Sequence, residues 1–202
     1  MSPVWLSLAL IAIIGGAVLF VFSRYNGLIR SLTRVHEAWS GIDVQLRRRA
    51  SLVPNLVETV RGYAEHEREV FEQVARARGA MQQAGGAGQT AAASNMLTQA
   101  LGYLFAVVEN YPQLRASENF LTLREDVRDT EEKIAFARQF YNRNVLDYNT
   151  RIATYPDAAL ANQFGFTPAE FFETDGEGRA EVHVSFDRAS AAPQQPAAPP
   201  AA

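Results

Sequence analysis

Cysteine is absent from the 202-residue chain. Its absence excludes a disulfide framework, a thiol nucleophile, a thiolate metal site and a lipid anchor on an N-terminal cysteine. Lysine is nearly absent too. Of 19 basic residues only Lys133 is a lysine, which reads as a bias of composition rather than of function. There are three histidines, His36, His66 and His183, and no His/carboxylate cluster has ligand spacing. The stretch "HEREV", His66 to Val70, begins like a zinc protease motif, but residue 70 is valine where a second imidazole is needed. "AGGAG" follows no strand and precedes no Lys-Ser/Thr, so it is no phosphate loop, and no serine stands in a nucleophile elbow. A non-enzyme is expected, with no metal, no cofactor and no small-molecule substrate; the alternative is an unrecognised enzyme, which would need a polar pocket between helices holding Glu67 and His36. The formal net charge of −3 offers no general affinity for nucleic acid.

Charge is also missing from one long run. "VWLSLALIAIIGGAVLFVF", Val4 to Phe22, carries none. At 1.5 Å per residue it spans roughly 28 Å, close to the hydrocarbon thickness of a bilayer. A cleaved signal peptide wants a basic start and small residues at the cleavage site. "MSP" and "LFVFSRY" supply neither, so an uncleaved anchor in the lipid bilayer is expected over residues 4–22. Arg24, Arg30 and Arg34 follow the run and nothing basic precedes it. The positive-inside rule then places the N-terminus outside and the rest in the cytoplasm, as a single-pass protein.

Beyond the run, Leu28, Leu32, Val35, Trp39, Ile42 and Leu46 recur in steps of four and three, a heptad seam on one helix face. No proline interrupts Tyr25 to Val53, so the membrane helix is expected to continue as a stalk. "SLVPN" is expected to turn the chain at about residue 52, with Ser51 as cap and Pro54 in the first turn of a second helix. That helix has the seam Leu56, Val60, Tyr63, Glu67, Val70, Val74, Ala77 and Met81. "AGGAGQTAAAS", Ala84 to Ser94, reads as a loop. A third helix follows from Asn95, and a long fourth from about Ser117 to Thr154. A short helix near Ala158 to Phe164, a turn at "FGF" and another short helix from Pro168 complete the pattern. "EVHVSF" alternates like a lone strand, and the Pro/Ala-rich end reads as a disordered tail. The fold class is therefore all-α. A transmembrane helix (1–23, with the short N-terminus) continues into an antiparallel four-helix bundle of long helices (24–186), followed by the tail (187–202).

Three consecutive arginines, Arg47, Arg48 and Arg49, stand roughly 38 Å from the membrane edge along such a helix. A lipid surface potential decays over about 8 Å, so they are no lipid patch. No aromatic–basic surface accompanies them, which argues against nucleic acid. Three readings stay open: arginines solvating a helix end, a buried ion pair at Arg49 on the seam, or a partner surface shared with Asn55.

These residues also carry a resemblance. "RYNGLIRSL…AWSGIDVQLRRRASLVPNLVETVRGYAEHE", then "ARGA", "ENYPQLRASENFLTLRED…TEEKIAFARQFYNRNVLDYNT", "FGF" and "FFE", resemble the LemA family over about Tyr25 to Phe172. The resemblance implies an N-terminal membrane anchor, a small external N-terminus, a cytoplasmic helical bundle and no established enzymatic activity. It implies envelope or membrane-organising roles. It implies a bacterial inner membrane and, as a candidate partner, a membrane metallopeptidase. The anchored helical body itself is expected to be a scaffold or adaptor that self-associates or presents a membrane-protein partner, with a regulatory subunit of such a peptidase as the alternative.

Polar residues on the seams are the remaining site candidates. With a turn at residue 52, Glu67 mirrors onto the stretch between His36 and Trp39, and a hydrogen bond from Trp39 Nε1–H or His36 would compensate a buried carboxylate. The other reading leaves Glu67 at a wet edge. Asn142 and Asn149, seven apart, share a face of the fourth helix. They either fix register between helices or form a solvated stripe beside Tyr141 and Tyr148. "FGFTPAEFF" is expected to pack on the bundle, with an exposed aromatic patch as the alternative.

Overall fold

The computed structural model describes residues 3–173. Six helices follow in order: α1 (Pro3–Arg61), α2 (Arg68–Gln83), α3 (Ala87–Val108), α4 (Pro112–Arg115), α5 (Glu118–Ala153) and α6 (Asp157–Phe164). The fold is all-α, with no strand among the described residues. The "EVHVSF" segment, His183, and the tail of residues 187–202 lie outside them.

α1 is one helix of 59 residues, about 88 Å long at 1.5 Å per residue. Its first third is the apolar run, whose most apolar window is 0% buried. Within it Gly15 and Gly16 stand in open space. From Leu28 onward the seam turns inward, with Leu28, Val35, Ile42 and Leu46 buried and Leu32 and Trp39 packed beside them.

The turn expected at residue 52 does not form. α1 runs through Pro54 to Arg61, and the chain reverses over 62–67, beginning at Gly62 with short-range bonds such as Tyr63 N to Val60 O, 3.0 Å. Pro54 removes one helical hydrogen bond. Val53, Leu56 and Val60, each no more than 1% exposed, hold the helix together through that gap, because packing of an apolar face outweighs a local breaker. Ser51 is no cap: its Oγ bonds back to Arg48 O at 2.7 Å, as a serine inside a helix does.

The loop expected over Ala84 to Ser94 is also shorter. Only residues 84–86 leave the helices, and α3 starts at Ala87. Alanine is the best helix former, and Ala87, Ala91, Ala93 and Ser94 are buried where their small side chains allow close approach. Gly86 makes the reversal with φ of 84°, which favours glycine.

α1 and α5 form a long antiparallel pair. Gly27 lies opposite Arg151, Trp39 opposite Tyr141 and Arg49 opposite Glu131. α2 and α3 form a second, shorter pair. Two buried clusters result. The outer one joins the end of α1 (Val53, Leu56, Val60) to α2, α3 and the start of α5. The inner one, nearer the apolar run, joins Leu28 to Leu46 with Ile134 to Ile152, the start of α3, Ala161 and Phe172. The four-helix bundle therefore occupies the outer half. In the inner half, α6 and an extended segment over 165–173 take the place of the missing helices.

That segment corrects the short helix expected from Pro168. α6 ends at Gly165 with φ of 73°, and residues 165–173 run extended along α5. Phe172 is buried and Phe166 and Phe171 are partly so.

Candidate functional site

Successive residues of a helix point about 100° apart, so the arginine run cannot share one environment. Arg47 points to solvent and pairs with Asp43 one turn back, at 2.8 Å. Arg48 reaches α5, 3.2 Å from Asp129 and 3.9 Å from Asp126. Arg49 is 0% exposed. Its Nη1 donates to Glu131 of α5 and, at 3.0 Å, to Thr98 Oγ1 of α3. Its Nη2 donates to Ser94 O at 3.1 Å and Ser94 Oγ at 2.8 Å. Thr98 Oγ1 in turn donates to Glu131 at 2.9 Å. One guanidinium thus ties three helices at the boundary between the two apolar clusters. Its Nε and the Oε1 of Gln45, one turn below, are buried without partners.

The reading of the arginines as a solvated helix end fails, because the helix does not end there. They lie twelve or more residues short of Arg61, and the tip of the body is the turn at 62–67. Asn55 is exposed on α1, its carbonyl accepting from Thr59 Oγ1 at 2.8 Å. Asp129 accepts a hydrogen bond from Lys133 Nζ at 2.8 Å. That bond, with the charges of Lys133 and Arg48, holds its carboxyl below the usual range.

A second polar constellation lies on the inner half of α5. Asn142 Nδ2 donates to Phe172 O at 3.0 Å while Phe172 N donates to Asn142 Oδ1 at 2.8 Å. Asn149 pairs in the same way with Ala169, at 2.9 and 2.8 Å. Tyr148 OH donates to Thr167 O at 3.0 Å and Tyr141 OH to Glu170 O at 2.8 Å. Seven residues of helix advance about 10.5 Å and three of extended chain about 10 Å. Partners seven apart on α5 therefore match partners three apart on the segment, twice over. The asparagines fix the register of an extended strap, not of another helix. Burial raises the phenols of Tyr141 and Tyr148, and the Glu170 carboxylate adds to the first.

Glu170 stands against Gly86 and Gly88 at the start of α3; a Cβ on Gly86 would sit 3.2 Å from its Oε2. α3 has no acidic residue in its first turn, so the strap brings the negative charge that a helix N-terminus favours.

Glu67 does not meet His36 or Trp39. It sits partly buried at the N-cap of α2, and His36 lies 25 residues before the end of α1, roughly 38 Å away along the helix. The expected pairing rested on the wrong turn. His36 is exposed. Trp39 packs between Tyr141, ring centroids 5.5 Å apart, and Phe172, at 6.1 Å.

Sequence reasoning missed Glu131, Ser94, Thr98 and Glu170. Ser94 and Thr98 are four apart on an otherwise apolar face, a signal hidden by reading the first as loop. At the inner end, Arg151 donates to Asp157 Oδ2 at 2.6 Å and to Gly27 O at 2.8 Å, fastening α5 and α6 to α1. Arg24 adds a longer contact to Asp157 at 3.7 Å. No group of three metal-ligating side chains stands together among the described residues.

Comparison with known proteins gives a consistent picture. The model of the LemA family matches residues 38–186. The chain is 25% identical over 208 residues to magnetosome protein MamQ of Magnetospirillum gryphiswaldense, covering 90% of this chain and 76% of that one. It is 26% identical over 185 residues to magnetosome protein MamQ 2 of Paramagnetospirillum magneticum, covering 79% and 68%. With protein LemA of Metamycoplasma hominis it shares 22% over 173 residues, 84% and 78% of the two chains.

Proposed function

The chain belongs to the LemA family, and from that premise we propose that it is a non-enzymatic, single-pass membrane scaffold or adaptor. Its helical body projects into the cytoplasm from an inner membrane and acts by self-assembly or by presenting a membrane-protein partner. Its relatives carry the names magnetosome protein MamQ and protein LemA, and neither name mentions a reaction.

The observation that carries this reading is the continuity of α1. The apolar run and the seam of the body are one helix, and the base is fastened across it. Tyr25 packs on Phe164 and Phe166, with ring centroids 5.0 and 5.9 Å apart, and Arg151 bonds Gly27. A body joined to its span without a hinge holds a fixed height and direction, which is what a scaffold requires.

The test is the mass of the intact chain in nanodiscs beside a chain that starts at Tyr25. A discrete assembly that is lost with the apolar run supports a scaffold built through the membrane. Two monomers refute self-assembly and leave partner presentation through the exposed arginine Arg47 and Asn55. Protease protection of a C-terminal tag in sealed vesicles tests the cytoplasmic orientation.

A further inference from the structure

A cavity of about 600 Å³ opens between α1 and α5 at the base of the body, lined by Ser23, Gly27, Arg30, Arg34 and Arg151, with Glu37 at its far end. We propose that it is a binding site for the phosphate headgroup of an anionic membrane lipid. The proposal rests on the membrane span of residues 4–22.

Three observations carry it. The first is position. Ser23 follows the apolar run directly, and Arg30 and Arg34 stand about 12 and 18 Å beyond Phe22 along the helix. The headgroup layer adds roughly 5–8 Å to the hydrocarbon edge, and the surface potential reaches about 8 Å further. Helical side chains lean toward the N-terminus of their helix, which here is the membrane. Arg30 shows the lean, its Nε donating to Asn26 O at 3.2 Å.

The second is charge. Arg151 is already matched by Asp157. Arg30 and Arg34, one turn apart on the same face, have no carboxylate within 4.0 Å among the described residues, whereas Arg47, Arg48 and Arg49 all do. Arg30 and Arg34 therefore face the cavity with their charge unmatched by any ion pair among the described residues. A planar guanidinium suits a phosphate better than an ammonium does.

The third is shape. The Arg151 guanidinium lies across Gly27, where any Cβ would collide with it. The glycine lets a cation from α5 reach the floor of the cavity. The arginines of the run at 47–49 have neither this floor nor this distance from the membrane.

The experiment reconstitutes the intact chain into vesicles of phosphatidylcholine doped with phosphatidylglycerol. Flotation is followed by native mass spectrometry of the lipids retained on the protein. The expected result is enrichment of phosphatidylglycerol over the bilayer composition. Arg30→Gln and Arg34→Gln should each lower it about fivefold, while Arg47→Gln leaves it unchanged. No enrichment, or equal losses in all three variants, overturns the site. Displacement of the lipid by glycerol phosphate in solution as readily as by phosphatidylglycerol assigns the cavity to a soluble phosphate and overturns the lipid. A chain that does not float overturns the membrane span as well, so the two failures are told apart.

Discussion

At Arg47, Arg48 and Arg49 three identical side chains meet three different surroundings, and their substitutions should differ accordingly. Glu131→Gln leaves the buried Arg49 guanidinium short of its counter-charge. It should cost about 3 kcal/mol, at the low end for buried pairs because Glu131 keeps a face in water. Arg47→Ala should stay within about 0.5 kcal/mol. Urea unfolding of the intact chain in detergent measures both; equal effects would refute the central role of Arg49. Tyr141 and Tyr148 give the protein an alkaline limit. Their phenols are raised in the folded chain, so the native state holds these protons more tightly than the unfolded one. That contribution is complete below the unfolded value near 10 and is lost as pH climbs through the raised folded values. The strap should therefore loosen at high pH, since a phenolate cannot donate to Thr167 O or Glu170 O. Emission of Trp39 in a Trp5→Phe background follows this, and Tyr141→Phe should flatten the transition.

At the scale of elements, the strap is held by side chains where a helix would use its own backbone. Asn142→Ala or Asn149→Ala each strips partners from one amide and one carbonyl, at a cost of about 1–3 kcal/mol. The loss should be local. Hydrogen exchange should speed up at the amides of Phe172 or Ala169, with no change at Val53 to Val60. Unchanged exchange at both amides would mean that the strap is held by its aromatic side chains alone. The strap also explains why a helix from Pro168 was expected and is not found. Its pattern of small and aromatic residues is compatible with either state, and the partners that decide lie twenty to thirty residues earlier on α5.

For the whole molecule, the continuous α1 sets a height. The turn at 62–67 should stand about 60 Å from the hydrocarbon edge. Because the chain has no cysteine, Thr33→Cys and Tyr63→Cys each place one label at an exposed site. Energy transfer to a headgroup dye should be strong from the first and nearly absent from the second. Efficient transfer from residue 63 would show a hinge in α1 and remove the support for a rigid scaffold.

The apolar run, the heptad seam from Leu28 to Leu46, the all-α class and the family are all legible in the sequence, because each rests on a periodicity or a composition that repeats over many residues. Four of the six seam residues, Leu28, Val35, Ile42 and Leu46, are buried and Leu32 and Trp39 partly so, while the seam passed over the buried Ser31 and Ala38. Single-residue signals were less reliable. Pro54 and Ser51 marked a turn that packing of Val53, Leu56 and Val60 overrode, and the alanine-rich stretch before Asn95 joined α3 once Ala91 and Ser94 had neighbours. The pairings of Arg49 with Glu131, Asn142 with Phe172 and Asn149 with Ala169 join residues 20 to 82 positions apart. No local pattern encodes them, since they depend on where the chain turns, and tertiary packing decides that.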